Sequence, residues 1–301
     1  MRGASSAYKV FIDDKLCVES GQIGISKSSS IPNLQMGIIP IETDKKTFIL
    51  RVQISSFRYR TGGLWKSVVI GDETKLRHKK YLDGLIAFFI IGIAIAFALY
   101  HLGLYALMPK AQTTLLFALF CFAIALRSFS AGNMIILDFF PALSWEWRLR
   151  FEIISFFLII TLGLQFTAKL FPKEFSNWFF KILIWLGWGL TIFCLFAPTK
   201  WYSHTVPPFQ IITLIALIGM TVGIIKAIIN KRQGASAYMI GYLCIIITGI
   251  IEVLHAAYII PVIELFPLGI VAFLTAKAFL LSKQFVKAFS QNELLTERRQ
   301  P

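Results

Sequence analysis

The stretch GLIAFFIIGIAIAFALYHLGLYALMP, residues 84–109, contains no Asp, Glu, Lys or Arg. A helix of about 20 apolar residues crosses a hydrocarbon core about 30 Å thick, so this run reads as a membrane span. Uncharged runs recur at 111–126, 153–168, 182–199, 205–225 and 233–251. A seventh, 265–276, is interrupted by Lys277 and resumes through 278–282. The shorter runs reach spanning length because the flanking Arg127, Glu152 and Lys181 can reach a headgroup layer. The count is therefore seven, or six if the last run only lies at the interface.

The rest of the chain agrees. Of 301 residues, 56% are hydrophobic and only 15% are charged, against about 25% charged in soluble domains. An ordinary water-soluble enzyme and a disordered chain are both excluded. Polar residues gather at the front: residues 1–80 hold 14 of the 30 Lys and Arg and 7 of the 16 Asp and Glu. Basic residues elsewhere concentrate after the first, third, fifth and seventh runs. Placing those loops inside, with the N-terminus outside, gives eleven positives inside against eight outside, counting Lys75, Arg77, Lys79 and Lys80. Trp145 and Trp147, and Trp201 and Tyr202, then form an outer aromatic belt. The link 132–150 is long, contains Pro141, and is expected to hold a short surface helix. The net charge of +14 reflects topology and headgroup contacts and calls for no nucleic acid.

Residues 7–70 read as short strands. Two apolar-rich runs, 7–12 and 15–19, flank Asp13-Asp14, a hairpin turn. In 47–56, Phe48, Leu50, Val52 and Ile54 alternate with polar neighbours, the period of a half-buried strand. Thr61-Gly62-Gly63 marks a turn before a last candidate at 64–70. About five strands suggest a sandwich or jelly-roll fragment, although such domains normally need about 100 residues. No apolar signal segment is visible in residues 1–30, which suggests that the reading frame begins upstream.

The segment Ile54-Ser55-Ser56-Phe57-Arg58-Tyr59-Arg60-Thr61-Gly62-Gly63-Leu64-Trp65, closed by Ile70-Gly71, resembles the last strands of the extracellular jelly roll in 7TMR-DISM receptors. These are bacterial seven-transmembrane receptors with diverse intracellular signalling modules. The family tends to have Asn where Ser56 stands. Tyr100-His101-Leu102-Gly103-Leu104-Tyr105, Ala125-Leu126-Arg127 and Phe140-Pro141-Ala142-Leu143-Ser144-Trp145-Glu146 are similar to the same family. The resemblance, from about Tyr8 to Phe289, implies a carbohydrate-binding-like sensor domain, a seven-helix transducer and a cytoplasmic output module. The expected fold is a membrane all-α seven-helix bundle preceded by a small, partial β-sandwich of jelly-roll type. The expected domains are the sensor at 1–80, the helices at 81–283, and the start of a signalling helix at 284–301. Family output modules need well over 100 residues, so none is expected within this chain. Phe285, Val286, Phe289 and Leu294 or Leu295 could begin a homodimer interface.

Four ionisable residues fall in the outer parts of their spans: Arg127, Glu152, Glu252 and His255. Buried charges cost several kcal/mol, on the order of 2.5–3.5 on an insertion scale, unless paired or hydrated. They form either a polar cluster that reports ligand or head position, or ion pairs that fix packing. Glu252 and His255 share a helix face, but no second such pair accompanies them, so no metal is expected. Lys277 invites a retinal Schiff-base reading; with no carboxylate inside the third span, snorkelling inward or pairing with a neighbouring helix is expected instead. His101 is expected to be a hydrogen-bonded packing residue, with a pH switch as the alternative. Cys17, Cys121, Cys194 and Cys244 lack metal or disulfide spacing and read as small packing residues. Phe57, Tyr59 and Trp65 offer a sugar-stacking platform or, alternatively, the core of the head.

No catalytic grouping and no cofactor motif is visible. The expected role is a receptor in the bacterial inner membrane, joining an extracytoplasmic small-molecule or carbohydrate ligand to a downstream signalling protein or domain. Two alternatives are a solute transporter or channel, and a non-functional remnant of a split receptor gene.

Overall fold

A computed structural model describes residues 4–33, 38–41, 47–60, 62–64, 68–132, 134–256 and 266–297, with side chains at 4–5, 252–256, 266, 283–285 and 287–297 left out. The strands are β1 (Ala4–Ser5), β2 (Ala7–Ile12), β3 (Lys15–Ser20), β4 (Leu50–Ser55) and β5 (Gly63–Leu64). They form an antiparallel sheet in the order β3-β2-β4 and a separate β1-β5 pair. The β2-β3 hairpin closes on Ile12 and Lys15. Asp13 and Asp14 both take positive φ, 48° and 68°, which a two-residue turn of this twist demands. Asp13 also accepts a hydrogen bond on Oδ1 from the Ile49 amide at 3.0 Å, fixing the approach to β4. That strand starts at Leu50 and not at 47. Tyr8 and Val10 form the buried face, backed by Val18, Leu50, Val52 and Ile54.

The helices are α1 (Glu73–Leu107), α2 (Gln112–Ser130), α3 (Ile136–Phe139), α4 (Trp145–Leu170), α5 (Trp178–Phe196), α6 (Thr199–His204), α7 (Val206–Ile229), α8 (Ala235–Ala256) and α9 (Phe266–Glu297). Asp72 caps α1 by accepting from the Lys75 amide at 3.0 Å, satisfying one of the donors a helix start leaves open. Among the described residues α1, α2, α4, α5 and α7 are long and apolar enough to cross a membrane. Two shorter apolar helices, Ala235–Ile251 and Pro267–Ser282, add to them. The 132–150 link holds a short helix, the four-residue α3, with Ile136 buried. The third span begins at Trp145, well before residue 153, so the aromatic and charged residues 145–152 lie on a helix and not in a loop.

The chain forms two compact units. The first contains Met1–Leu85, Phe129–Phe157 and Gly189–Gln210; the second contains Ile86–Ser128, Leu158–Trp188 and Ile211–Pro301. The first combines the head with an aromatic layer in which Phe157 and Phe209 lie 4.4 Å apart between ring centroids. In the second, α1 buries the stripe Ile90, Ala94, Ala98 and His101. Here α8 and α9 approach closely: a Cβ on Gly241 would stand 2.6 Å from that of Ala276, and Gly269 faces Thr248 with no room for a side chain. Small residues permit such approach where hydrocarbon offers no hydrophobic drive between helices.

The end of α7 explains an ion pair in the second unit. Lys231 takes φ 51°; its amide donates to Ile228 O, and that of Arg232 donates to Ala227 O. This Schellman pattern closes the helix end and turns Arg232 toward Glu174, whose Oε1 accepts from Arg232 Nε at 2.6 Å and from Asn230 Nδ2 at 3.2 Å.

Candidate functional site

In the first unit, the segment after β4 meets the first turns of α4. Arg58 Nη1 donates to Glu146 Oε1 at 3.4 Å, and the Tyr59 ring stands edge-on to Trp145, centroids 6.4 Å apart. Glu146 lies in the acidic-favouring first turn of the helix. Two turns of side chains follow. Arg148, almost wholly buried, donates to Glu152 Oε2 at 2.9 Å. Arg150 donates to the carbonyls of Leu195 and Ala197, covering groups that the end of α5 leaves open. Its guanidinium stands 5.0 Å from the centroid of the Trp147 ring and 5.3 Å from that of Tyr202. Tyr202 is fully buried, donates to Glu146 O at 3.4 Å, and has its phenol pushed up to about 12 by burial. The bend after β4, α4, the end of α5 and α6 therefore share one polar and aromatic junction.

The residues singled out from sequence fall as follows. Tyr59 is half-buried on Trp145, whereas Phe57 is 36% exposed. Because β4 ends at Ser55, residues 57–60 are bends; strand alternation does not order Phe57 and Tyr59 against Arg58 and Arg60. Trp65 lies outside the described residues. Glu152 pairs with Arg148, four residues away on the same face. Arg127 is half-buried in the last turn of α2. Glu252 and His255 lie on α8, with their side chains outside the described set. Sequence reading missed Arg58, Glu146 and Arg150 as a group. The i, i+4 spacing of Arg148 and Glu152 would have flagged the pair, had the helix start been placed at Trp145.

In the second unit the snorkelling expected of Lys277 is not seen, and its contact with neighbouring helices is made through rings. Lys277 is 1% exposed, and among the described residues Nζ has no acid and no hydrogen-bond partner. Nζ stands 3.9 Å from the ring centroid of Phe273, 4.4 Å from Phe120, 4.7 Å from Phe166 and 5.2 Å from Tyr238. Rings from α2, α4 and α8 thus surround a residue of α9. The amine is enclosed by rings, any one of which attracts an ammonium by roughly 0.5–2 kcal/mol. The Tyr238 hydroxyl is engaged with Thr167 at 2.5 Å. His101 is also corrected. It is fully buried and edge-on to Phe117 at 4.7 Å, but among the described residues neither ring nitrogen has a hydrogen-bond partner. Cys121 and Cys194 are buried and Cys244 is half-buried, whereas Cys17 is exposed on β3, where its Sγ donates to Lys15 O at 3.4 Å.

A family model described as 7TM diverse intracellular signalling matches residues 83–284. No curated protein and no solved structure matches the chain.

Proposed function

The chain belongs to the 7TM diverse intracellular signalling family, and from this premise we propose that it is a membrane receptor. It is a multi-pass membrane protein of a sensing class. In this reading a jelly-roll-type head binds a small molecule or carbohydrate outside the bacterial inner membrane. Seven helices carry the change to a signalling partner on the cytoplasmic side, through α9.

The observation that carries the reading is the Arg58–Glu146 pair. It ties the head segment to the first turn of a 26-residue apolar helix. A displacement of the head then has a rigid element to act upon. A ligand moves such an equilibrium only by its differential affinity for the two states, and a junction of half-exposed pairs and ring contacts can change partners at small cost. That α9 runs unbroken from Phe266 to Glu297 supports the idea of an output stalk.

A cyclase domain fused after Pro301 tests this. Receptor function predicts that output changes when residues 4–64 are deleted or when Arg58 is reversed in charge. Unchanged output in both, together with solute flux in proteoliposomes abolished by Glu252→Gln, would replace the receptor with a transporter.

A further inference from the structure

Pro198 cannot continue α5, since it has no amide to donate and disfavours a helical residue before it. The helix ends at Phe196, and Pro198 stands extended (φ −63°, ψ 149°) ahead of α6. The break leaves a corner. Its floor is Ala197 and Pro198, and its walls are Ile192, Phe193 and Phe196 of α5 and Trp201 of α6, enclosing a groove of about 430 Å³. The walls are apolar and open: Phe196 is 83% exposed and Trp201 68%. Ile192 lies four residues before Phe196, about 6 Å along the axis, so the groove runs from the helix end toward the middle of a membrane-spanning helix. Two cations stand at its head. Arg150 donates to Ala197 O at 3.1 Å, at the floor itself, and Lys200 is exposed in the first turn of α6, next to Trp201. The acids nearby in the chain are already taken: Glu146 pairs with Arg58 and Glu152 with Arg148. Among the described residues Arg150 and Lys200 have no carboxylate partner, and the carbonyls that Arg150 meets leave its charge uncompensated.

We propose that this corner binds one anionic phospholipid: an acyl chain lies in the groove along Ile192, Phe193 and Phe196, and the phosphate meets Lys200 in the field of Arg150. The charge decides the headgroup, since an uncharged or zwitterionic lipid would fill the groove and leave the two cations uncompensated. Trp201 fixes the level, because tryptophan settles where headgroups meet acyl chains. A second copy of the chain fits the corner poorly: six residues line it, against about 20–30 a side in a stable protein interface. The lipid also has a structural consequence. Arg150 faces the rings of Trp147 and Tyr202, and Tyr202 donates to Glu146 O, so a lipid held at Arg150 braces the junction of the first unit. The site stands or falls independently of the receptor reading.

The test is thermal unfolding of the full chain in dodecyl maltoside with dioleoylphosphatidylglycerol, dioleoylphosphatidylcholine or inorganic phosphate added. Phosphatidylglycerol should raise the unfolding temperature by a few degrees more than the same amount of phosphatidylcholine, as a ligand that binds only the folded state must. Inorganic phosphate should leave it unchanged. Lys200→Glu reverses an exposed charge and should abolish the difference between the two lipids. Ile192→Trp fills the groove at an exposed position and should weaken the response to phosphatidylglycerol; Ile192→Phe takes its place if that variant aggregates. Native mass spectrometry should show one phosphatidylglycerol retained by the parent and none by Lys200→Glu. Equal stabilisation by both lipids, or a difference that survives Lys200→Glu, overturns the site. A rise with inorganic phosphate as large as that with phosphatidylglycerol overturns the role of the groove. An unfolding temperature that climbs with protein concentration and ignores lipid puts a second copy in the corner and overturns the lipid.

Discussion

Arg58 and Glu146 are 88 residues apart in the chain, and their Nη1 and Oε1 atoms lie 3.4 Å apart. The pair joins the bend that follows β4 to the start of a membrane helix. Both side chains are about two-fifths exposed, so its stability contribution is at most about 1 kcal/mol. Arg58→Glu should therefore leave the unfolding temperature nearly unchanged while altering the output of a fused cyclase. The double exchange Arg58→Glu with Glu146→Arg should restore output. A large fall in unfolding temperature for the single variant would mark the pair as purely structural.

Arg150 holds two carbonyls at the end of α5. Arg150→Met preserves the stem over Trp147 and Tyr202 but leaves those carbonyls unmet, a cost of roughly 1–3 kcal/mol. Thermal unfolding in detergent should show a fall of a few degrees. Arg150→Lys should recover only part of it, since an ammonium lacks the planar fork.

Lys231 occupies the left-handed position that ends α7. A side chain there costs roughly 1–2 kcal/mol, which glycine avoids. Lys231→Gly should accordingly raise stability by up to about 1 kcal/mol. A drop would mean that the lysine side chain itself contributes more than the backbone strain removes.

Glu174 links the α4–α5 connection to the end of α7. Burial alone would raise its carboxyl, but hydrogen bonds from Arg232 and Asn230 outweigh this and hold it below the ordinary value. Its contribution is therefore fully present above the unfolded carboxyl value of about 4.3 and is lost as pH falls through the lower folded one. Unfolding temperature should drop more steeply between about pH 5 and pH 3 in the parent than in Glu174→Gln, which should also be less stable near neutrality.

Much of the fold was legible because its signals are local. The Asp13-Asp14 turn sits between two apolar-rich runs, and the uncharged runs coincide, to within a few residues at either end, with parts of α1, α2, α4, α5, α7, α8 and α9. What escaped was of another kind. The start of α4 was hidden because Arg148, Arg150 and Glu152 look like loop residues until their partners are known: a carboxylate one turn away and carbonyls 45 and 47 residues on. Lys231 carries no local mark, since glycine is the usual residue in its conformation. The surroundings of Lys277 depend on rings drawn from α2, α4 and α8, and no spacing within α9 announces them. Phe57 and Tyr59 were assigned to faces by a strand period that stops at Ser55.

The central claim is that the head biases the position of the output helix. Its most direct test is the rate at which a membrane-impermeant maleimide labels Ser282→Cys in protein whose four native cysteines, Cys17, Cys121, Cys194 and Cys244, are changed to Ala, measured with an intact junction, with Arg58→Glu, and with the Arg58→Glu, Glu146→Arg exchange. The account predicts a changed rate in the single variant, several-fold in either direction on the order of 1 kcal/mol of coupling, and return to the parent rate in the exchange. The same rate in all three proteins, each folded and monodisperse, would contradict it.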